Sequence, residues 1–316
     1  MAPANVRAVP QLLDRRLLFV TGKGGVGKST VALALGLVAA RRGLRTIVAE
    51  LASRERLQRT FDRTGHRFEE LELVPGLWTI SIDPEHAMEE YLRVKAGPLG
   101  QALGHSRLFQ MLAMATPGMR ELLSIGKVWE LAQLERRTRD SAPYDLVIVD
   151  APATGHGVGV LRTPRTFAEI ARVGPIAHQG STIAATIADR AFTGVIAVST
   201  PEEMPVNETV SLHEALLSDG LDLDAVVLNA RYADRFEQSE LAVLESALAT
   251  VAATLPRAAL RAALSEQARA AAQALEQQRL ERAFAGRLTV LPYLFTTGIG
   301  PAQLELLANA LEGQVT

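Results

Sequence analysis

The sequence predicts an α/β fold with a mostly parallel, doubly wound sheet and an inserted helical subdomain, on three observations. Short apolar runs rich in β-branched residues recur at Arg16 to Val20, Arg45 to Glu50, Leu77 to Ile82, Asp145 to Asp150, Val195 to Ser199, Ala225 to Asn229 and Leu288 to Leu291. Helical patterns separate them, and unbroken apolar runs of this length suit strands covered on both faces. Two regions, about 84–142 and 163–192, lose the alternation and read as helices punctuated by Gly97-Pro98, Pro117-Gly118 and Gly174-Pro175. Because strand, loop and helix alternate along the chain, 1–316 is read as one domain carrying a helical insertion.

The first strand, Leu17-Leu18-Phe19-Val20, leads into Gly22-Lys23-Gly24-Gly25-Val26-Gly27-Lys28-Ser29, and a helical pattern follows from Thr30. Strand, G-x-x-x-x-G-K-S and helix in this order are the signature of a P-loop. Gly22, Gly24, Gly25 and Gly27 let loop N–H groups, with those of Val26 and Thr30, turn inward around phosphate at the positive end of a helix. Lys28 reaches the β- and γ-phosphates, and the Ser29 hydroxyl takes a place on magnesium. The expected ligands are therefore ATP and Mg2+. Lys23, directly after the first glycine, cannot easily bend back to the phosphate that Lys28 already occupies. It reads either as a finger that neutralises phosphate charge across a subunit interface or as a solvated loop lysine.

Later strands supply carboxylates. Asp150 ends Leu146-Val147-Ile148-Val149, a position from which it can hold magnesium through water. Gly155, Gly157 and Gly159 give the next segment the freedom of a loop that responds to a γ-phosphate, and His156 within it serves either packing or switching. The stretch from Ala258 to Ala285 has heptad-like leucine and alanine spacing and reads as a lone amphipathic helix packed on the sheet in preference to a coiled coil.

Composition removes other classes. With 48% hydrophobic and 22% charged residues among 316, the chain has the material for a full core. A formal net charge of -2 leaves no footprint for a polyanion, so nucleic acid is not expected as a ligand. There is no cysteine, which excludes disulfides, iron–sulfur clusters and thiolate zinc sites. Residues 1–13 lack the apolar run of a signal peptide, and no stretch reaches the roughly 18 apolar residues that span a bilayer. The expected location is cytoplasmic.

The P-loop, together with Asp150-Ala151-Pro152-Ala153-Thr154-Gly155-His156-Gly157, resembles the ArsA family of deviant Walker A ATPases, whose second motif reads D-T-A-P-T-G-H. That family includes arsenite-pump ATPases and the targeting ATPase of the tail-anchored membrane-protein pathway. Thr116-Pro117-Gly118-Met119-Arg120-Glu121 is similar to its P-G-x-x-E, so the resemblance covers nearly the whole chain. It implies a dimer with nucleotide at the interface, helical subdomains that open and close, an adenine-binding asparagine at Asn229, and a proline loop over adenine at Pro292. One position departs: the family's switch reads D-P-A-H after the second strand, and the ungapped alignment puts Ala52 where its water-orienting aspartate stands. Glu50 either replaces that aspartate or organises magnesium water and the P-loop lysine, and Glu55 is a weaker substitute. Slow hydrolysis is therefore expected. The competing readings are a non-hydrolysing adaptor in a heterodimer with an active sibling, and a MinD- or ParA-like positioning ATPase. The latter loses ground because Pro301 to Leu311 carries no lysine or arginine.

Four of the six methionines, Met88, Met111, Met114 and Met119, fall in the helical insertion beside Leu108, Phe109 and Leu112. They read either as a groove for a hydrophobic client, possible in a family that handles membrane proteins, or as the core of that layer.

Overall fold

Strand β1 (Leu17–Gly22) is buried at all six positions, as are β2 (Thr46–Glu50), β5 (Leu146–Asp150) and β6 (Thr193–Ser199). This is the consequence of covering both faces of a parallel sheet. With β3 (Leu71–Val74), β4 (Leu77–Ser81), β7 (Ala225–Arg231) and β8 (Leu288–Pro292) they form one sheet in the order β3-β4-β2-β5-β1-β6-β7-β8. Every pairing is parallel except β3 with β4. The computed structural model describes residues 12–51, 56–66, 68–104, 111, 115–136, 141–153, 157–171 and 175–313. The α/β class and the mostly parallel, doubly wound sheet are those the sequence predicts. Strand β3 is an addition: Pro75-Gly76, with Gly76 at φ 85°, turns a short edge strand back onto β4.

Alternate strand residues feed two cores. On one side Val20, Val48 and Ile148 pack under α1 (Lys28–Arg41) and α10 (Pro301–Gly313). On the other, Phe19, Ile47 and Val149 meet α4 (Met119–Leu131), α5 (Gly157–Ala171), α6 (Pro175–Ala188) and α7 (Glu203–Ser218). The short α2 (Arg56–Thr60) lies between β2 and β3. Helix α3 (Pro84–Gly104) continues through Gly97-Pro98, where the sequence reading expects a break, although the proline there supplies no N–H to the helix ladder. Likewise α5 begins at Gly157, so Gly159 belongs to a helix and not to a loop.

The long C-terminal stretch is also different from expectation. Helix α9 (Thr254–Ala283) buries only Ala270 and Leu280, while α8 (Gln238–Thr250), which buries nothing, folds back along its first half. Arg235, just before α8, pairs with Glu266 at 2.8 Å and closes this hairpin. Only the second half of α9 rests on the body of the protein, through Arg279 to Asn207 and Arg231 to Gln277.

A charged network ties the helical layer to the sheet. Arg136 donates to both oxygens of Glu70 and to Glu130, Lys127 donates to Glu90 and Glu130, and the Tyr144 hydroxyl donates to Glu70 at 2.7 Å. Burial pushes the carboxyls of Glu70 and Glu130 up, but hydrogen bonds and charge from Arg136 and Lys127 outweigh it and hold both below the ordinary carboxylate value. Beside this network, α3, α4 and α6 border a half-open cavity of about 160 Å3 whose lining includes Met88, Val94, Met119, Leu122, Gly126 and Ile183. Met111 is exposed, and Met114, Leu108, Phe109 and Leu112 lie outside the described residues.

Candidate functional site

The P-loop lies beyond the carboxyl end of β1, with β5 on one side and β6 on the other, the place where open parallel sheets hold ligands. Its geometry requires glycine at both ends. Gly22 has φ 142°, and a Cβ there would stand 2.2 Å from the Val198 carbonyl oxygen; Gly27 has φ 92°, and its Cβ would stand 2.3 Å from Asn229 Nδ2. Gly25 is also left-handed, at φ 88°, whereas Gly24 lies beside Ala153. Helix α1 opens without a side-chain cap, and its first internal bond runs from Val31 N to Gly27 O at 3.0 Å. The N–H groups of Lys28, Ser29 and Thr30 therefore have no acceptor within the helix and face its end, which suits an anion.

The side chains that the sequence singled out meet here. Ser29 Oγ donates to Asp150 Oδ2 at 2.5 Å, and Lys28 Nζ donates to the Lys23 carbonyl at 2.8 Å. Glu50 and Asp150 are register partners on β2 and β5. Each sits two residues beyond a side chain of the core under α1, Val48 and Ile148, so both carboxylates point to the P-loop side of the sheet. They are buried, with 3% and 7% exposure. Among the described residues no three His, Asp or Glu side chains gather into a metal cluster. The oxygens of Ser29 and Asp150 nonetheless suit magnesium, which takes few protein ligands and fills its octahedron with phosphate and water.

Asn229 is drawn to the loop itself. Its Nδ2 donates to the Val26 carbonyl at 2.9 Å, so the side chain braces the P-loop from β7. The next residue, Ala230, holds φ 62°, and the β7–β8 register shifts between Leu228 and Arg231. A non-glycine residue in this region is strained, and such strain collects at functional positions. Pro292 ends β8 opposite Arg231, close along the strands to Asn229, and exposed. Just past Arg231 and Pro292, Tyr232 and Tyr293 stack 4.5 Å between centroids, with Phe295 edge-on to both.

Lys23 turns away from the loop. Its amine reaches Glu208 Oε1 on α7 at 2.6 Å and touches the Met204 sulfur. No pattern in the sequence marks Glu208, which is 185 residues distant. Ala52, Glu55, Gly155 and His156 lie outside the described residues.

A family model described as anion-transporting ATPase, ArsA, matches residues 15–179 and 169–251. The chain belongs to the ArsA ATPase family. ATPase BagA of Mycobacterium tuberculosis is 30% identical over 235 residues, 72% of this chain and 68% of that protein. ATPase GET3 of Chaetomium globosum is 29% identical over 264 residues, covering 69% and 74%. A putative arsenical pump-driving ATPase of Halobacterium salinarum is 28% identical over 242 residues, covering 72% and 36%. Membership makes the protein a nucleotide-binding ATPase, as the P-loop indicates. The second helix of the hairpin, α9, lies beyond the part that the family model matches. Among the described residues no helix is long and apolar enough to cross a membrane.

Proposed function

We propose that the protein is an ATP–Mg switch that hydrolyses ATP slowly and works as a dimer, whose closure around nucleotide shifts the helical layer. The observation that carries this reading is the contact of Ser29 with Asp150 at the mouth of a formed P-loop, with Glu50 alongside. Lys28 would leave the Lys23 carbonyl for the β- and γ-phosphates, while the N–H groups at the head of α1 take the remaining oxygens. Ser29 and Asp150 would hold magnesium, which when bound neutralises charge that develops on the phosphates. Glu50 would orient the attacking water, Asn229 and Pro292 would border the adenine end, and Lys23 would reach a partner's phosphates on pairing. The cavity between α3, α4 and α6, with Met88 and Met119 in its wall, supports a hydrophobic client on the helical layer.

The test is steady-state ATP hydrolysis by the purified protein beside binding of a slowly hydrolysed analogue, with Lys28→Ala and Glu50→Gln. Turnover that both variants abolish, with analogue still bound by Glu50→Gln, is the expected result. Ala52 at the position of the family's switch aspartate favours a second reading, an adaptor that binds and does not hydrolyse. Tight binding without turnover in the parent protein, restored by Ala52→Asp, would select it.

A further inference from the structure

Lys23 is held in its own subunit at two points. Its carbonyl oxygen accepts from Lys28 Nζ, and its amine is paired with Glu208 at 2.6 Å. Glu208 stands on a packed stretch of helix: Val206, two residues before it, and Thr209, next to it, are buried, and the Thr209 hydroxyl donates to the Pro205 carbonyl one turn back. Helix α7 thus holds the backbone of Glu208 in place and brings its carboxylate within reach of the four-carbon lysine arm. A lysine amine that neutralises phosphate in another subunit must bring its charge there unshared. A carboxylate on the amine cancels that charge and repels the phosphate as well.

We propose that Glu208 is a positioning residue that parks Lys23 against α7 in the single subunit and withholds it from a partner's nucleotide. The inference rests on the reading of Lys23 as an interface finger. Nucleotide opens the first of the two ties, because phosphate competes for Lys28 and so releases the Lys23 carbonyl. The second opens only when a partner's phosphates outbid Glu208, which makes subunit pairing dependent on nucleotide in both subunits. The pair is partly exposed, 29% for Lys23 and 38% for Glu208, so the restraint is modest. Exposed ion pairs of this kind shift an equilibrium by up to about fivefold. Two such pairs per symmetric dimer together shift it by up to about twenty-fivefold.

The experiment measures dimerisation by sedimentation with a slowly hydrolysed ATP analogue and magnesium, for the parent, Glu208→Gln, Lys23→Ala and the double variant. In parallel, the rate at which an amine-acylating reagent modifies Lys23 in nucleotide-free protein is read by mass spectrometry. Glu208→Gln should dimerise on the order of tenfold more tightly and acylate faster at Lys23. The double variant should match Lys23→Ala, since the carboxylate acts only through the lysine. Unchanged or weaker dimerisation in Glu208→Gln, with Lys23→Ala still impaired, would overturn the parking role and leave the finger standing. Dimerisation of Lys23→Ala equal to that of the parent would instead remove the finger itself.

Discussion

Strand β5 ends in polar groups on both sides, and the two ends are built differently. At its carboxyl end Asp150 accepts from the Ser29 hydroxyl, Lys28 donates to the Lys23 carbonyl, and Glu50 stands in the next strand. At its amino end Tyr144, Glu70, Arg136, Glu130, Lys127 and Glu90 close into one network in which each charge has an opposite charge or hydroxyl within 3.3 Å. Neutral partners such as a hydroxyl and a backbone carbonyl can be exchanged for phosphate and metal without stranding an opposite charge. A closed buried network cannot be opened without stranding a charge. The first end is arranged to change partners and the second to keep them.

The sharpest way to break this comparison is Arg136→Ala. Its guanidinium is almost wholly buried between two carboxylates, 1% exposed, so its removal leaves Glu70 and Glu130 facing each other. The expected loss is on the order of 3–5 kcal/mol, read as a shift of the urea midpoint, with the helical layer detaching from the sheet edge. A loss under about 1 kcal/mol would mean that the network is solvated in solution. At the other end Lys28→Ala should do the reverse. ATP turnover falls at least about a hundredfold, the size expected when a phosphate-clamping charge is lost, while the urea midpoint stays within error of the parent. Destabilisation by Lys28→Ala comparable to that by Arg136→Ala would erase the distinction.

Acid sharpens it further. Glu70 and Glu130 are held below their ordinary value of 4.5, so the folded state binds fewer protons there than the unfolded chain. Their contribution is complete above that ordinary value and is lost as pH falls through the lowered native values. Urea midpoints measured from about pH 7 down to about pH 3 should fall at the acid end, and Arg136→Ala should flatten that dependence. An equal acid slope in the variant would place the responsible carboxylates elsewhere.

How much of this was legible in the sequence follows from the range of each interaction. The seven parallel strands and the P-loop are local patterns: apolar runs, glycines at fixed offsets, a lysine and a serine at the head of a helix. Strand β3 was missed because Leu71–Val74 is half exposed and lacks the continuous apolar run of its neighbours, although Pro75-Gly76 is the turn that announces it. The hairpin of α8 and α9 was missed because alanine-rich helices look alike whether they lie on a sheet or on each other. Asn229 was singled out by resemblance as an adenine contact, while its bond to Val26 crosses 203 residues of sequence and left no local trace. The same holds for Glu208 with Lys23 and for Arg136 with Glu70, since pairing of charges across a fold depends on topology alone.

The smallest expected effect bears on the cavity. Gly126 sits in the middle of α4 and lines that space, and a Cβ built there meets no atom within 4 Å. Replacing a mid-helix glycine by alanine restricts the unfolded chain and favours the helix, so Gly126→Ala should stabilise by about 0.5–1 kcal/mol. Gly126→Leu would place a larger side chain inside the apolar wall. If Met88, Met119 and Ile183 form only a loosely filled core, the leucine variant should gain stability and keep every interaction of the parent, because filling a void adds contacts. If the space receives an apolar client, the alanine variant should bind an apolar test peptide as the parent does, whereas the leucine variant should lose it while turnover at the P-loop is unchanged. The two substitutions differ in volume and not in charge, so their divergence separates packing from recognition in a layer where the sequence allowed both.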